Sequence, residues 1–152
     1  MKPRLDYFEA APDGLKAMLG LEQFIRNCGL ERPLIELVKL RASQINACAY
    51  CIDMHWKDAR AAGETEQRLY GLGAWRESPY YTERERAALA WTESLTLISQ
   101  TGAPDADFDQ VRALFSDKDL ASLSLVITTI NAWNRLAIGF RSPAGSYKPA
   151  GR

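Results

Sequence analysis

The chain has 152 residues, enough for one domain with a real hydrophobic core or for one subunit of an oligomer. Lysine plus arginine and aspartate plus glutamate both number 19, so the net charge is zero and no basic face exists to attract a phosphate backbone. The composition thus argues against nucleic-acid binding. The most apolar run, 120–140, is interrupted by Thr128, Thr129, Asn131, Asn134 and Arg135, which argues against a membrane span.

Hydrophobic periodicity is helical along almost the whole chain, and no alternating strand pattern stands out. Residues 1–13 read as an extended lead-in that ends at Pro12-Asp13-Gly14. A first helix follows from Leu15 to about Cys28, stopped by Gly29. Pro33 suits the first turn of a second helix, which runs to about Ile45. Asn46 is placed to break that helix and cap the next, which begins near Cys48 and ends before Gly63. A shorter helix spans 64–75. Thr82 and Glu85 form a capping-box pattern that opens a long helix to about Ser99. Another helix lies near 106–115, and Ser116 opens a last one that runs to Phe140. The tail, SPAGSYKPAGR, reads as loose polar chain.

The last helix is apolar around most of its circumference, with Leu120, Leu123, Leu125, Val126, Ile127, Ile130, Trp133 and Leu136. A helix without a clean polar face is buried on several sides. Its expected place is the centre of the subunit or an oligomer contact. The overall expectation is an all-α fold of six to seven helices in a single domain covering residues 1–152.

Chemistry concentrates between Glu36 and His55, ELVKLRASQINACAYCIDMH. This stretch holds Cys48 and Cys51 and the one histidine of the chain, His55. At about 100° per residue, Cys48, Cys51 and His55 fall within an arc of roughly 60°. Ile52, Ala59 and Ala62 share that side, whereas Asp53, Lys57 and Arg60 point away. Cys48 and Cys51 fall in the first helical turn, where unpaired backbone N–H groups favour a thiolate. The i, i+3 spacing also permits a disulfide. With no apolar core for a signal peptide in MKPRLDYFEAAPDG, the expected location is cytoplasmic, where such a pair is catalytic or metal-binding rather than a structural staple.

Other readings stand beside the redox one. Two core cysteines with a packed histidine would have the same pattern. A zinc site would need four ligands, and only Cys28 and nearby carboxylates could complete it. A c-type haem needs histidine directly after the second cysteine, where Ile52 stands. A thioredoxin places its Cys-x-x-Cys after a strand, and here a helix precedes it. Glu36 lies ten residues before Asn46 and His55 nine after, so a helical hairpin would bring the two level. Against this, Glu36 shares its arc with Lys39 and Ser43, which reads as a solvated stripe. Cys28 reads as a small buried hydrophobe.

Glu36, the run LRASQINACAYC and His55 resemble the signature of the alkylhydroperoxidase D-like (AhpD-like) proteins of the carboxymuconolactone decarboxylase superfamily. The likeness extends to RLDYFEAAP, to the segment from Lys57 to Glu93, and to NAWNRLAIGFR. It implies an all-α fold with the site on a helix hairpin, assembled as a trimer or hexamer. It implies a peroxidase in which Cys51 attacks the hydroperoxide, Cys48 resolves the product to a disulfide, His55 deprotonates Cys51 and Glu36 completes a proton relay. No cofactor or metal is implied. The expected partners are a hydroperoxide and a dithiol reductant, lipoyl or thioredoxin-like. One departure is Tyr50, where the resembled proteins carry a histidine between the cysteines. Tyrosine is a far weaker base at neutral pH, which points to a shorter relay or to thiol–disulfide exchange with little peroxide turnover.

Overall fold

A computed structural model of the chain describes residues 2–149. Among these residues the fold is all-helical, with no strand. The helices are α1 (Tyr7–Ala10), α2 (Pro12–Asn27), α3 (Arg32–Ile45), α4 (Ala49–Ala61), α5 (Glu66–Gly71), α6 (Glu83–Thr96), α7 (Ile98–Thr101), α8 (Asp105–Arg112) and α9 (Asp117–Phe140), with a 3₁₀ turn at Leu72–Ala74. The count exceeds the six to seven expected because two single turns escape periodicity. In α1, the Asp6 side chain accepts from the N–H groups of Phe8 and Glu9, so one capping residue nucleates a turn inside the predicted lead-in. The second, α7, arises because the backbone at Leu97 (φ −99°, ψ 30°) leaves helical geometry and interrupts the helix expected to reach Ser99.

Helix termini follow local chemistry. Pro12 and Pro33 both sit in first turns, where no N–H is needed. The Thr82–Glu85 capping box is complete, each side chain accepting from the other's backbone N–H. Ser116 caps α9 by accepting from Asp119 N–H. No described helix is long and apolar enough to cross a membrane.

The helix at the centre is α3, which packs against α4, α6 and α9. Its residues Leu37, Val38, Leu40 and Ala42 are fully inaccessible. Each of the two leucines and the valine contributes about 2 kcal/mol of burial free energy. On one side, Ile25, Ile35, Val38, Ala87, Val111, Leu123 and Ile127 fill the space between α2, α3, α6, α8 and α9. On another, Leu37, Leu40, Leu69, Leu72, Trp75 and Leu89 join α3 to α4, α5 and α6. The long α9 is buried along much of its length but leaves Leu125 and Ile138 exposed, so it flanks the centre rather than occupying it. Cys28 is buried and free, as expected for a small apolar side chain.

Candidate active site

Three residues, 46–48, separate α3 from α4. Asn46 closes α3 and Ala47 follows in the left-handed region at φ 55°. The Ala47 N–H donates to Gln44 O at 3.1 Å and the Cys48 N–H to Ser43 O at 3.0 Å, the paired bonds that finish a helix through a left-handed residue. Cys48 is at once the N-cap of α4, its Sγ accepting from Cys51 N–H at 3.3 Å. Asn46 therefore does not cap α4, contrary to the sequence reading. Its side-chain amide instead donates to Asn131 Oδ1 at 2.9 Å and Asn134 Oδ1 at 2.8 Å on α9. Asn134 in turn donates to Ser43 Oγ at 3.1 Å.

Cys48 and Cys51 are joined by a disulfide, with Cα atoms 5.3 Å apart. Both are buried in a small apolar cluster with Ala42, Ile130 and Ala137, against which Tyr50 and Trp133 pack. His55 lies one turn further along α4 and is 4% exposed. The two sulfurs and the ring thus occupy the inner face, as their spacing predicts.

Glu36 faces them from α3. Its Oε2 lies 2.9 Å from His55 Nδ1, so the residues on either side of Asn46 meet and the two helices run antiparallel. Burial alone would raise the Glu36 carboxyl. The hydrogen bond from His55, the charge of that ring and those of Lys39 and Arg32 outweigh burial and hold it below its ordinary 4.5. An ionised carboxylate only accepts, so Nδ1 is the donor, and whenever the ring is neutral Nε2 is its basic nitrogen.

The solvated stripe expected at Glu36, Lys39 and Ser43 does not exist, because all three are buried. Lys39 Nζ pairs with Glu22 Oε2 of α2 at 2.7 Å, and Trp133 Nε1 donates to the other oxygen of Glu22 at 3.0 Å. The Ser43 hydroxyl donates back to Lys39 O at 2.8 Å. Each polar group on this face has a partner on a neighbouring element, which is what permits burial.

The outer face of α4 also differs from expectation. Asp53 and Lys57 are only half-exposed, since the tail predicted to be loose lies along them. The Gly145 N–H donates to Asp53 Oδ2 at 3.1 Å, and Lys57 Nζ donates to Gly145 O at 3.3 Å and Tyr147 O at 3.1 Å. The Tyr147 hydroxyl donates to both oxygens of Asp58, at 2.8 and 3.0 Å. Burial, then the hydrogen bond to Asp58 and the negative charges nearby, push the Tyr147 phenol up to about 12. Tyr50 is raised as well, by burial and then by Tyr7, Asp53 and Asp58, so the residue between the cysteines is a poor proton acceptor.

One atom each of Glu36, His55 and Asp58 lie within 4.8 Å of one another. The hydrogen bonds described above already satisfy these groups. Sequence reasoning missed Asp58 and Tyr147. Asp58 stands three residues beyond His55, a spacing that puts the two side by side on a helix, and this was the available signal.

The model of the carboxymuconolactone decarboxylase family matches residues 12–94. The uncharacterized protein YdfG of Bacillus subtilis (strain 168) is 43% identical over 146 residues, covering 96% of this chain and 99% of that protein. A crystal structure of a protein of unknown function from Agrobacterium tumefaciens, provisionally described as the antioxidant defence protein AhpD, is 47% identical. It superimposes with a TM-score of 0.93 over 96% of this chain and 100% of its own. The alkylhydroperoxidase AhpD core of a peroxidase-related protein from Ralstonia eutropha JMP134 is 20% identical with a TM-score of 0.80, covering 91% of this chain and 74% of that one; this likeness concerns the fold alone.

Proposed function

Since the chain belongs to the carboxymuconolactone decarboxylase family as an AhpD-like member, we propose that it is a thiol peroxidase, reducing hydroperoxides through a Cys48–Cys51 dithiol–disulfide cycle. The observation that carries this reading is the Cys48–Cys51 disulfide, one helical turn from a buried imidazole that is itself held by a carboxylate. That is the arrangement of an activated nucleophile with an oriented base.

In the proposed cycle Nε2 of His55 takes the Cys51 thiol proton. The thiolate attacks an oxygen of the hydroperoxide, the O–O bond breaks, and Cys51 becomes a sulfenic acid. The departing alkoxide takes the proton back from His55 and leaves as alcohol, or as water when the substrate is hydrogen peroxide. Cys48 then attacks the sulfenic sulfur; its proton leaves with the hydroxyl group as water, and the disulfide forms. An external dithiol, lipoyl or thioredoxin-like, attacks Cys51 and gives its two hydrogens to the pair, ending as a disulfide itself. Cys48 is then the leaving thiolate, and its position as N-cap, receiving the Cys51 N–H, favours departure. Glu36 keeps the ring in the required tautomer.

A second reading, exchange with a protein or lipoyl disulfide and little peroxide turnover, is favoured by Tyr50, which cannot accept a proton at neutral pH. A dithiol-coupled peroxide assay separates the two. The peroxidase reading expects consumption by the native protein, none by Cys51→Ser, and in Cys48→Ser a single oxidation that dimedone traps at Cys51. Equal rates in the native protein and Cys51→Ser would sink it. Fast exchange with lipoamide without peroxide consumption would establish the second reading instead.

A cytoplasmic location and assembly as a trimer or hexamer belong to the same proposal. Exposed apolar side chains on α2 and α9, among them Phe24, Leu125 and Ile138, support self-association. A stable monomer in sedimentation at micromolar concentration would exclude assembly.

A further inference from the structure

Tyr147 reaches the site from the far end of the chain. Its hydroxyl binds both oxygens of Asp58, and it is close enough to Glu36 to feel that carboxylate's charge. Asp58 has a carboxylate oxygen within 4.8 Å of a His55 ring nitrogen and of a Glu36 oxygen. The Glu36–His55 pair thus has a second anion beside it, held there by a residue outside the helix hairpin.

The other charges around the ring do not cancel this anion. From α3, Lys39 is paired with Glu22, and Arg32 acts on Glu36 from further away. On α4, Lys57 is occupied by Asp53 and by two backbone carbonyls of the tail. Tyr50 of α4, whose phenol burial pushes up, and Tyr7 of α1 contribute no positive charge. Among the described residues, the two carboxylates beside the imidazole are thus opposed by Lys39, which Glu22 engages, and by Arg32, which bears on Glu36.

Building on the proposed thiol chemistry, we propose that Tyr147 is a positioning residue that pins the Asp58 carboxylate beside His55, where it stabilises the imidazolium formed when Cys51 gives up its proton. A neighbouring anion favours the charged ring and therefore the thiolate. The tail is in this respect part of the relay, and it supplies polar support to a site that has a tyrosine between its cysteines. Because the Tyr147 phenol is pushed up to about 12, it stays a donor throughout the working range of a thiol enzyme.

The test is the rate of Cys51 alkylation by iodoacetamide against pH, assigned by mass spectrometry, on the full, pre-reduced chain. Native protein, Tyr147→Phe, Asp58→Asn and Glu36→Gln are compared, with melting temperatures measured in parallel. Both Asp58→Asn and Tyr147→Phe are expected to move the midpoint up by about half to one pH unit, which slows neutral-pH alkylation by roughly three- to tenfold. Glu36→Gln is expected to move it further. Unchanged midpoints in Asp58→Asn and Tyr147→Phe, with Glu36→Gln shifted, would overturn the role of Tyr147 and leave the Glu36–His55 relay standing. Lowered melting temperatures with unmoved midpoints would reduce the tail to a clamp. If Glu36→Gln also fails to shift the midpoint, the relay and this inference fall together.

Discussion

Asn46, at the end of α3, donates its side-chain amide to the Oδ1 of Asn134 on α9 at 2.8 Å, and Asn134 is fully inaccessible to solvent. This bond fastens the turn carrying the cysteines to the longest helix of the fold. With Ser43 and Asn131 it makes a buried polar network in which every amide oxygen or nitrogen named above has a partner. Truncating Asn134 to alanine would leave Asn46 and Ser43 each short of one bond and open a small void. The expected cost is about 2 kcal/mol, a fall of about 5 °C in melting temperature by calorimetry.

Ala47 is the strained member of the same turn. At φ 55° its Cβ crowds the following carbonyl, a conformation that glycine adopts without penalty. Ala47→Gly is expected to stabilise the chain by about 1 kcal/mol, or about 3 °C, in thermal or denaturant melts. A loss of stability would show that the alanine methyl makes packing contacts worth more than the strain.

The Glu36 carboxyl is held below its ordinary 4.5, so the folded state binds its proton less readily than the unfolded chain does. The stabilisation it contributes is complete above about 4.5 and disappears as pH falls through the lower folded value. Melting temperatures measured from neutral pH down to about 3 should show a steeper acid loss in the native protein than in Glu36→Gln. Parallel curves would contradict the assignment of an ionised Glu36 accepting from His55.

Tyr147 has the opposite sign. Its phenol is raised from 10.0 to about 12, so the hydroxyl's contribution is complete below 10 and is lost as pH rises through 12. Tyrosinate absorbance is the readout: the native-minus-Tyr147→Phe difference should show one late-titrating phenol. A difference titrating near 10 would mean that the segment is not held against Asp58 in solution.

The parts of the molecule that could be read in advance are those written in local chemistry. Helix starts at Pro33 and Thr82, the stop before Gly29, and the shared face of Cys48, Cys51 and His55 depend on neighbours within a turn or two. What could not be read depends on contacts far apart in the chain. The stripe of Glu36, Lys39 and Ser43 looked wet because its closest partners lie outside α3: Glu22, His55 and Asn134 reach it from three other helices. The tail looked loose because its anchors, Asp53, Lys57 and Asp58, lie about 90 positions away. Asn46 looked like a cap because asparagine is a good one, yet the left-handed Ala47 moved the cap to Cys48.

The closing backbone bond of α3 and the opening side-chain bond of α4 both fall on Cys48. A residue inserted there would disrupt both bonds at once and change the angle at which the second helix leaves the first. The imidazole would swing away from its carboxylate and the sulfurs out of their apolar niche in one step. A length change between Ile45 and Ala49 should therefore abolish the proposed thiol chemistry even when the helices themselves survive.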